Sequence, residues 1–184
     1  MENIKLSDGI RLYQGVMFDY DNPDAADVPV EVIAHHLSMI CRFAGGTKHF
    51  YSVAQHCVLA STIAPHGHEY DSLLHDTAEA VTNDIPRPFK VEKIPGFKEI
   101  ESRIEGSMAR KFGTTYPLSR EVRWVDDVML KLEKQVLLPW DSSNWTILDW
   151  VGDVSHLADK LDFSSWSPER AKLEFLQRYE ELRP

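Results

Sequence analysis

Apolar residues recur at helical spacing through most of this sequence, and that spacing limits the chain to a mainly helical fold. Residues three or four positions apart share one face of an α-helix and can pack against a common core. The first such run carries apolar side chains at Val32, Ile33, Leu37, Met39 and Ile40. We therefore predict a first helix over residues 30–43, ended by the Ala-Gly-Gly sequence that follows.

Helix start and stop signals predict further helices. Ser52 is suited to cap the second helix, and Gln55, three positions later, completes a capping box. Ser167 is suited to cap the last helix, with Pro168 at its first position. Prolines end two of the helices, because proline cannot continue a helix. The predicted ranges are 52–64, 69–81, about 96–112, 119–138 and 168–182.

The two ends of the chain lack this periodicity. Residues 3–19 alternate apolar and polar side chains around Asp8-Gly9, a pair that favours a tight turn, so we predict a small β-hairpin there. Residues 139–167 are rich in tryptophan and have no clean period, which indicates loops and short helices. The sequence thus predicts an all-α fold, a compact helical bundle in a single domain over residues 1–184. Its core spans about 30–138, with the N-terminal hairpin before it and a Trp-rich C-terminal segment over 139–184.

Charge and composition exclude several classes of function. The formal net charge of -9 argues against binding of nucleic acid or of an anionic membrane, since clustered Lys and Arg drive both. No apolar run approaches the length of a membrane span. Cys41 and Cys57 show no metal-type spacing and follow no signal sequence, which indicates reduced thiols in a cytoplasmic protein. A small anionic ligand stays compatible where a metal or local cations offset the repulsion.

The sequence LLHDTAEAVTNDIPRPFK, residues 73–90, concentrates the candidate chemistry. Glu79 lies four residues after His75 and three after Asp76, so the three side chains project from neighbouring faces of the predicted helix. Carboxylates at the edge of an apolar helix are costly unless a cation neutralises them. His75 and Asp76 give four candidate metal ligands together with His56 and Asp126, which lie on two other predicted helices. This set suits a divalent Mn, Fe, Co or Zn ion.

The same residues resemble the HD-domain phosphohydrolases. The likeness rests on His56 in YSVAQHC, His75-Asp76 in the frame LLHDxxExxxxDxPxPxK, and Asp126 in VRWVDD. The wider frame is similar to the branch that contains bacterial 5′-deoxynucleotidases and phage dATP triphosphohydrolases. An Arg-aromatic pair, here Arg42-Phe43, precedes the first metal histidine by some fourteen residues in that branch.

The resemblance implies a role for each matching residue. Glu79 is expected to orient a water molecule or take its proton. Asp84 is expected to stabilise the nucleophile or protonate the leaving oxygen. Arg42 and Lys90 are expected to bind phosphate, and Phe43 to pack against the sugar or base. One divalent ion, Mn, Co, Zn, Fe or Mg, is expected on His56, His75, Asp76 and Asp126.

Three alternatives remain open at this point. Asp127 competes with Asp126 as a ligand, although it points about 100° away around the helix. Lys90 has the alternative of being a solvated surface lysine. Asp84 has the alternative of capping the turn before Ile85.

The expected function is metal-dependent hydrolysis of a small-molecule deoxynucleotide. The first choice is a dATP-preferring triphosphohydrolase that releases deoxynucleoside and triphosphate. Extra cations at Lys48, Arg87 and Lys93 would favour this choice. The alternative is a 5′-deoxynucleotidase that releases phosphate from monophosphates, and a more remote one is a nucleotide-binding sensor without turnover. The resemblance also implies a homo-oligomer.

Overall fold

The structure, a computed structural model, describes residues 9–184 and is predominantly helical. This confirms the predicted all-α class with a small N-terminal hairpin. The helices in chain order are α1 (Val30–Met39), α2 (Val53–Ile63), α3 (Glu69–Leu74), α4 (Glu79–Thr82), α5 (Arg87–Glu92), α6 (Phe97–Phe112), α7 (Arg120–Leu137) and α8 (Pro168–Leu182).

The hairpin turns later in the chain than predicted. Strands β1 (Ile10–Arg11) and β2 (Met17–Phe18) pair antiparallel, with Ile10 opposite Phe18, and residues 12–16 form the turn. The prediction placed the turn at Asp8-Gly9, and Asp8 and the first predicted strand lie outside the described residues. Gly9 lies against β2, since a Cβ atom there would approach the Phe18 carbonyl oxygen to 2.0 Å. The absence of a side chain permits this close approach.

Serine caps start three of the helices. The hydroxyls of Ser52, Ser119 and Ser167 each accept a hydrogen bond from the backbone N–H three residues later. These bonds satisfy donors that a helix start leaves free. The predicted capping box is wrong in one respect, because the Gln55 side chain does not return to the cap. Its amide nitrogen instead donates to the carbonyls of Asp162 and Ser164, at 3.0 and 2.8 Å.

The first helix is shorter than predicted. It ends at Met39, and the chain then turns through two consecutive left-handed residues, Phe43 (φ 55°) and Ala44 (φ 51°). Neither is a glycine, so the Gly45-Gly46 pair that signals the helix end does not predict the left-handed conformation of Phe43. As a result, Arg42 and Phe43 lie on a short, distorted 3₁₀ turn, Arg42–Gly45, and not on α1.

The predicted helix over residues 69–81 is interrupted. The segment from His75 to Ala78 separates α3 from α4, and its hydrogen bonds span three residues, from Thr77 N to Leu74 O and from Glu79 N to Asp76 O. Such bonds tighten the chain relative to an α-helix. The His-Asp dipeptide therefore lies at a helix break. Helix α5, which was not predicted, starts directly after the following turn, with Pro88 in its first turn, where no backbone donor is needed.

Helix α2 lies at the centre of the core. Every residue from Val53 to Ser61 is buried, and the helix packs against α1, α3, α7 and α8. Residues 139–167 form two short 3₁₀ helices, Thr146–Val151 and Ser155–Lys160, in agreement with the prediction for this segment. Across residues 9–184, no helix has both the length and the apolar character that crossing a membrane requires.

Gln55 fastens α2 to the C-terminal segment, and its replacement by alanine tests that link. The change removes the partner of two carbonyls and of the Trp166 N–H, which lies 3.4 Å from the Gln55 amide oxygen. We expect the free energy of unfolding to fall by about 2–4 kcal/mol, since unpaired buried polar groups are costly. Urea denaturation measures it. The exposed Gln177 is the control, and Gln177→Ala is expected to change stability by less than about 0.5 kcal/mol.

Candidate metal centre

Four donor groups converge where three parts of the fold meet. His56 comes from α2, His75 and Asp76 from the break between α3 and α4, and Asp126 from α7. The two Nε2 atoms of His56 and His75 lie 3.2 Å apart. Asp126 Oδ1 lies 3.3 Å from the first and 3.6 Å from the second. Asp76 Oδ2 lies 3.6 Å and 3.3 Å from the same two atoms.

Hydrogen bonds to the other ring nitrogen orient both histidines. His56 Nδ1 donates to Glu133 Oε1 at 2.6 Å, and His75 Nδ1 donates to the Ser72 carbonyl at 2.7 Å. A carbonyl oxygen and an ionised carboxylate oxygen only accept, so each Nδ1 carries the proton. Each Nε2 of a neutral ring therefore presents a lone pair to the other and to two carboxylates. Such a cluster of lone pairs requires a cation, either protons or a metal ion.

The spacing of the donor atoms fits one metal ion. With bonds of about 2.1 Å, ligand atoms lie about 3.0 Å apart in an octahedral site and about 3.4 Å apart in a tetrahedral one. The measured separations of 3.2–3.6 Å agree with these values. Imidazole with carboxylate suits Mn, Fe, Co and Zn, whereas Mg prefers oxygen ligands alone. The centre is closed on the His56 side, which has no exposed side-chain surface, and open at Asp126, whose side chain is 40% exposed.

Cys57 belongs to a second group of potential ligands. Its sulfur, with donor atoms of His75 and Asp76, forms a set within 4.8 Å. Burial raises the pKa of the Cys57 thiol, and the charges of Asp76 and Glu79 raise it further. The thiol is therefore held in its protonated form, which binds metals poorly. The set formed by the histidines and carboxylates is the better match.

Glu133, which was not among the residues predicted from the sequence, contacts His56 from behind the donor groups. Its carboxylate is fully buried and, besides His56, accepts hydrogen bonds from Tyr51 Oη (2.8 Å) and from Arg42 Nε and Nη2 (3.2 and 3.1 Å). One signal was available in the sequence, since Glu133 follows Asp126 by seven residues and so lies two turns later on the same helix face. The carboxylate behind a ligating histidine orients the ring and increases its basicity.

The pKa shifts follow from these contacts. Burial and Arg42 oppose protonation of His56, but Glu133 and Asp126 outweigh them and raise its pKa to about 9. Burial acts to raise the pKa of Glu133, yet the charges of Arg42 and His56 lower it to about 2. Burial likewise disfavours the ionised form of Asp126. Hydrogen bonds from both histidines outweigh this effect and hold the pKa of Asp126 well below its ordinary value. The carboxylates are thus ionised at neutral pH, and they attract positive charge to the histidines.

Glu79 and Asp84 lie beside the donor groups. Burial, followed by the charges of Asp76 and Asp84, raises the pKa of Glu79 well above its ordinary value. The Oε2 atom of Glu79 is buried and makes no hydrogen bond within residues 9–184. Burial also raises the pKa of Asp84, which the charge of Arg42 opposes. Asn83 precedes it with φ 63°, so the chain turns sharply between α4 and Asp84.

The remaining predicted residues occupy different positions. Arg42 is buried, and its Nη1 lies 3.5 Å from Asp76 Oδ2, in addition to its bonds to Glu133. Lys90 pairs with Glu101 at 2.7 Å. Both residues that were predicted to bind phosphate are therefore already paired with carboxylates. Phosphate binding by Arg42 and Lys90 stays a prediction.

Asp127 turns away from the histidines. Its Oδ2 accepts a hydrogen bond from the Trp150 indole nitrogen at 3.0 Å. Of the two neighbouring aspartates, the structure brings only Asp126 to the donor cluster. The direction of α7 decides this, because consecutive helical residues point about 100° apart.

Comparison with known proteins places the chain next to two bacterial sequences. No family model matches it. The chain is 35% identical over 173 residues to the "Uncharacterized protein YfdR" of Escherichia coli (strain K12), and the match covers 94% of each chain. It is 28% identical over 138 residues to an uncharacterized protein of Rhodobacter capsulatus, covering 68% of this chain and 70% of the relative. The first match spans nearly the whole fold.

Replacing Glu133 by glutamine tests its role behind His56. The change leaves the buried charge of Arg42 with only the longer contact to Asp76, at 3.5 Å, so we expect the free energy of unfolding to fall by about 3–5 kcal/mol. We expect Mn²⁺ affinity to fall about 10- to 100-fold, as for other residues that orient a ligating histidine. Urea denaturation and calorimetric titration measure the two effects. Glu121, exposed on the same helix, gives the control variant Glu121→Gln. Equal metal affinity in both variants would contradict the role.

Metal binding is expected to displace a proton from His56. A metal ion binds the imidazole only in its neutral form, and the pKa of about 9 keeps His56 protonated at neutral pH in the metal-free protein. The apparent Mn²⁺ affinity should therefore rise by up to about tenfold per pH unit between pH 7 and 9. Calorimetry in buffers of different ionisation enthalpy counts the released protons. An affinity that is constant over this range would contradict the assignment.

The same pKa predicts how the stability of the metal-free protein depends on pH. The pKa of His56 is raised from 6.5 to about 9, so its protonated form stabilises the fold fully below pH 6.5. This contribution is lost as the pH rises through about 9. We expect urea midpoints to fall over that range without metal and to fall less when Mn²⁺ is present.

Proposed function

The chain belongs to the same protein family as YfdR of Escherichia coli, and we propose that it is a metal-dependent phosphohydrolase that acts on deoxynucleotides. The observation that supports this most strongly is the convergence of the His56 and His75 Nε2 atoms, 3.2 Å apart, with one oxygen each of Asp76 and Asp126 at 3.3–3.6 Å from both nitrogens. The likeness of the surrounding sequence to the HD-domain phosphohydrolases supplies the reaction class.

The residues of the candidate metal centre have different roles in the proposed reaction. A divalent ion, when bound, polarises a phosphoryl oxygen and makes water more acidic. His56, His75, Asp76 and Asp126 are the side chains that would hold it. Glu133 keeps the ring of His56 in the orientation that presents Nε2 to the site. The exposed side of Asp126 leaves room for substrate to approach.

Glu79 and Asp84 are suited to move protons. The attacking water must lose a proton as its oxygen bonds to phosphorus, and Glu79 has a buried carboxylate oxygen without a hydrogen-bond partner among residues 9–184. Because its pKa is raised, the ionised form of Glu79 is a stronger base than an ordinary glutamate. The bond from phosphorus to the 5′-oxygen breaks at the same time, and the leaving oxygen needs a proton. Asp84, whose pKa is also raised, would supply this proton from its protonated form.

The first proposed reaction is triphosphohydrolysis with a preference for dATP. Water attacks the α-phosphorus, the 5′-oxygen leaves on the deoxynucleoside, and the three phosphates depart together. The compact size of the chain and the pair Arg42-Phe43 suit this reaction through the family resemblance. Arg42 acts in it first as a positioning residue, because it links Asp76 to Glu133.

A second candidate reaction is hydrolysis of deoxynucleoside monophosphates. One observation favours it, namely that Arg42 and Lys90 already pair with carboxylates and offer little free positive charge to a triphosphate. Both reactions break the same bond and use the same proton donors and acceptors. A sensor without turnover is the least supported alternative, because Glu79 and Asp84 both lie beside the donor groups.

Product analysis distinguishes these reactions. Purified protein is incubated with Mn²⁺ or Co²⁺ and a panel of dNTPs and dNMPs, and the products are separated by chromatography. Release of triphosphate supports the first reaction, and release of phosphate from dNMPs alone supports the second. We expect Asp126→Asn to abolish turnover and Asp127→Asn, its neighbour bound to Trp150, to retain it within about twofold. Absence of turnover with every metal and nucleotide would refute the proposal.

Glu79→Gln tests the proton acceptor separately from the metal ligands. The variant keeps the shape of the side chain but accepts no proton, so we expect kcat to fall about 10²- to 10⁴-fold. Mn²⁺ affinity, measured by calorimetry, is expected to stay within about threefold because Glu79 belongs to neither group of potential metal ligands. A variant with unchanged kcat would exclude Glu79 as the base.

A further inference from the structure

Two half-buried aromatic rings, Phe43 and Trp145, lie close to each other, and Phe43 is next to Arg42 of the candidate metal centre. Phe43 follows α1, and Trp145 belongs to the Trp-rich segment that the family resemblance covers poorly. Their ring centroids lie 6.5 Å apart and the rings are tilted by 48°. Neither ring is part of the buried core. The pair therefore keeps aromatic surface available to a ligand.

The backbone at Phe43 and Ala44 is strained. Phe43 (φ 55°, ψ 32°) and Ala44 (φ 51°, ψ 31°) both adopt the left-handed conformation. For residues other than glycine this costs on the order of 1–3 kcal/mol each and persists mainly at functional sites. The turn brings the Phe43 ring to 5.5 Å from the Arg42 guanidinium carbon. Since Arg42 also contacts Asp76, the ring lies next to the donor groups.

Hydrogen bonds at the nitrogen edge of the indole ring hold Trp145 in place. Its indole nitrogen donates to Asp141 Oδ2 at 3.1 Å and to Ser143 Oγ at 3.0 Å. The ammonium group of Lys134, on the helix that carries Asp126, lies 5.5 Å from the ring centroid and donates to the Asp141 carbonyl. These contacts fix the orientation of the indole before any ligand binds. A fixed aromatic ring loses little conformational entropy when a flat ligand stacks on it.

We propose that Trp145, together with Phe43, binds the nucleobase of the substrate. This inference rests on the proposed function, because a deoxynucleotide whose phosphate lies at the donor groups carries its base one sugar away. Arg42 joins the aromatic pair to those groups through its contacts with Asp76 and Phe43. Stacking on aromatic side chains tolerates any base, since every base has a π-face. Trp145 is thus a substrate-binding residue without direct contact with the reacting atoms.

Binding of deoxyadenosine to the Mn²⁺-loaded protein tests this proposal without turnover. The nucleoside has a base and no phosphate, so its affinity reports on the base site. We expect Trp145→Leu, which keeps an apolar side chain against Phe43, to raise the Kd about 5- to 150-fold, the range that base–aromatic stacking accounts for. Trp145→Phe retains a π-face and is expected to stay within about threefold. Isothermal calorimetry measures each Kd.

Trp140→Leu is the matched control, since Trp140 lies in the same segment and is 63% exposed. Its nucleoside affinity should equal that of the wild type. An unchanged Kd in Trp145→Leu, or a wild-type protein that binds no deoxynucleoside, overturns the inference. Turnover of nucleotides is measured on the same preparations. If the wild type hydrolyses nucleotides but Trp145→Leu binds deoxyadenosine with unchanged affinity, the proposed function stands and the base-binding role of Trp145 is wrong. If deoxyadenosine binding depends on Trp145 but no nucleotide is hydrolysed, the base-binding role stands and the proposed hydrolysis is wrong.

Discussion

The buried carboxylate of Glu133 is the interaction on which the rest of the site depends. It is fully buried and binds His56, Tyr51 and Arg42 at once. An ionised carboxylate in this position is stable only because a guanidinium and an imidazole neutralise it. In return it sets the ring orientation of His56 and keeps Arg42 within reach of Asp76. The donor groups therefore belong to one buried network of charges, and a change in any member is felt by the others.

This network also explains how an acidic chain assembles an acidic site. Asp76, Asp126 and Glu133 all lie within 4 Å of one histidine, His56, at 3.6, 3.3 and 2.6 Å. Their repulsion is balanced by Arg42 and by positive charge on the imidazoles, whether from protons or from a metal ion. The three carboxylates outnumber the single guanidinium, and this excess of negative charge favours binding of a small multivalent cation. The net charge of the whole protein has little influence on this, because nearby groups dominate in a poorly solvated pocket.

The sequence predicted much of the helical framework and the residues that converge, but less of the local geometry. Helices α2, α6, α7 and α8 follow from caps and apolar spacing, which are local properties. Glu133 was not predicted because the sequence Lys-Leu-Glu-Lys is typical of a solvent-exposed helix face. Its burial becomes evident from its contacts with Arg42 and His56, both of which are far from Glu133 in the sequence. Tertiary packing sets the helix break at residues 75–78 and overrides the propensity of that stretch. Phe43 adopts a left-handed backbone conformation although it is not a glycine, so this conformation could not be predicted from the residue type.

The amide of Gln55 makes completion of the site a late event in the synthesis of the chain. Gln55 is the neighbour of His56, and its hydrogen-bond partners at Asp162 and Ser164 are made more than a hundred residues later. While the chain leaves the ribosome, α2 lacks the contacts that fix it on this side. The histidine next to Gln55 gains its final surroundings only when the C-terminal segment has emerged. The surroundings of His56 thus depend on two parts of the chain that are more than a hundred residues apart.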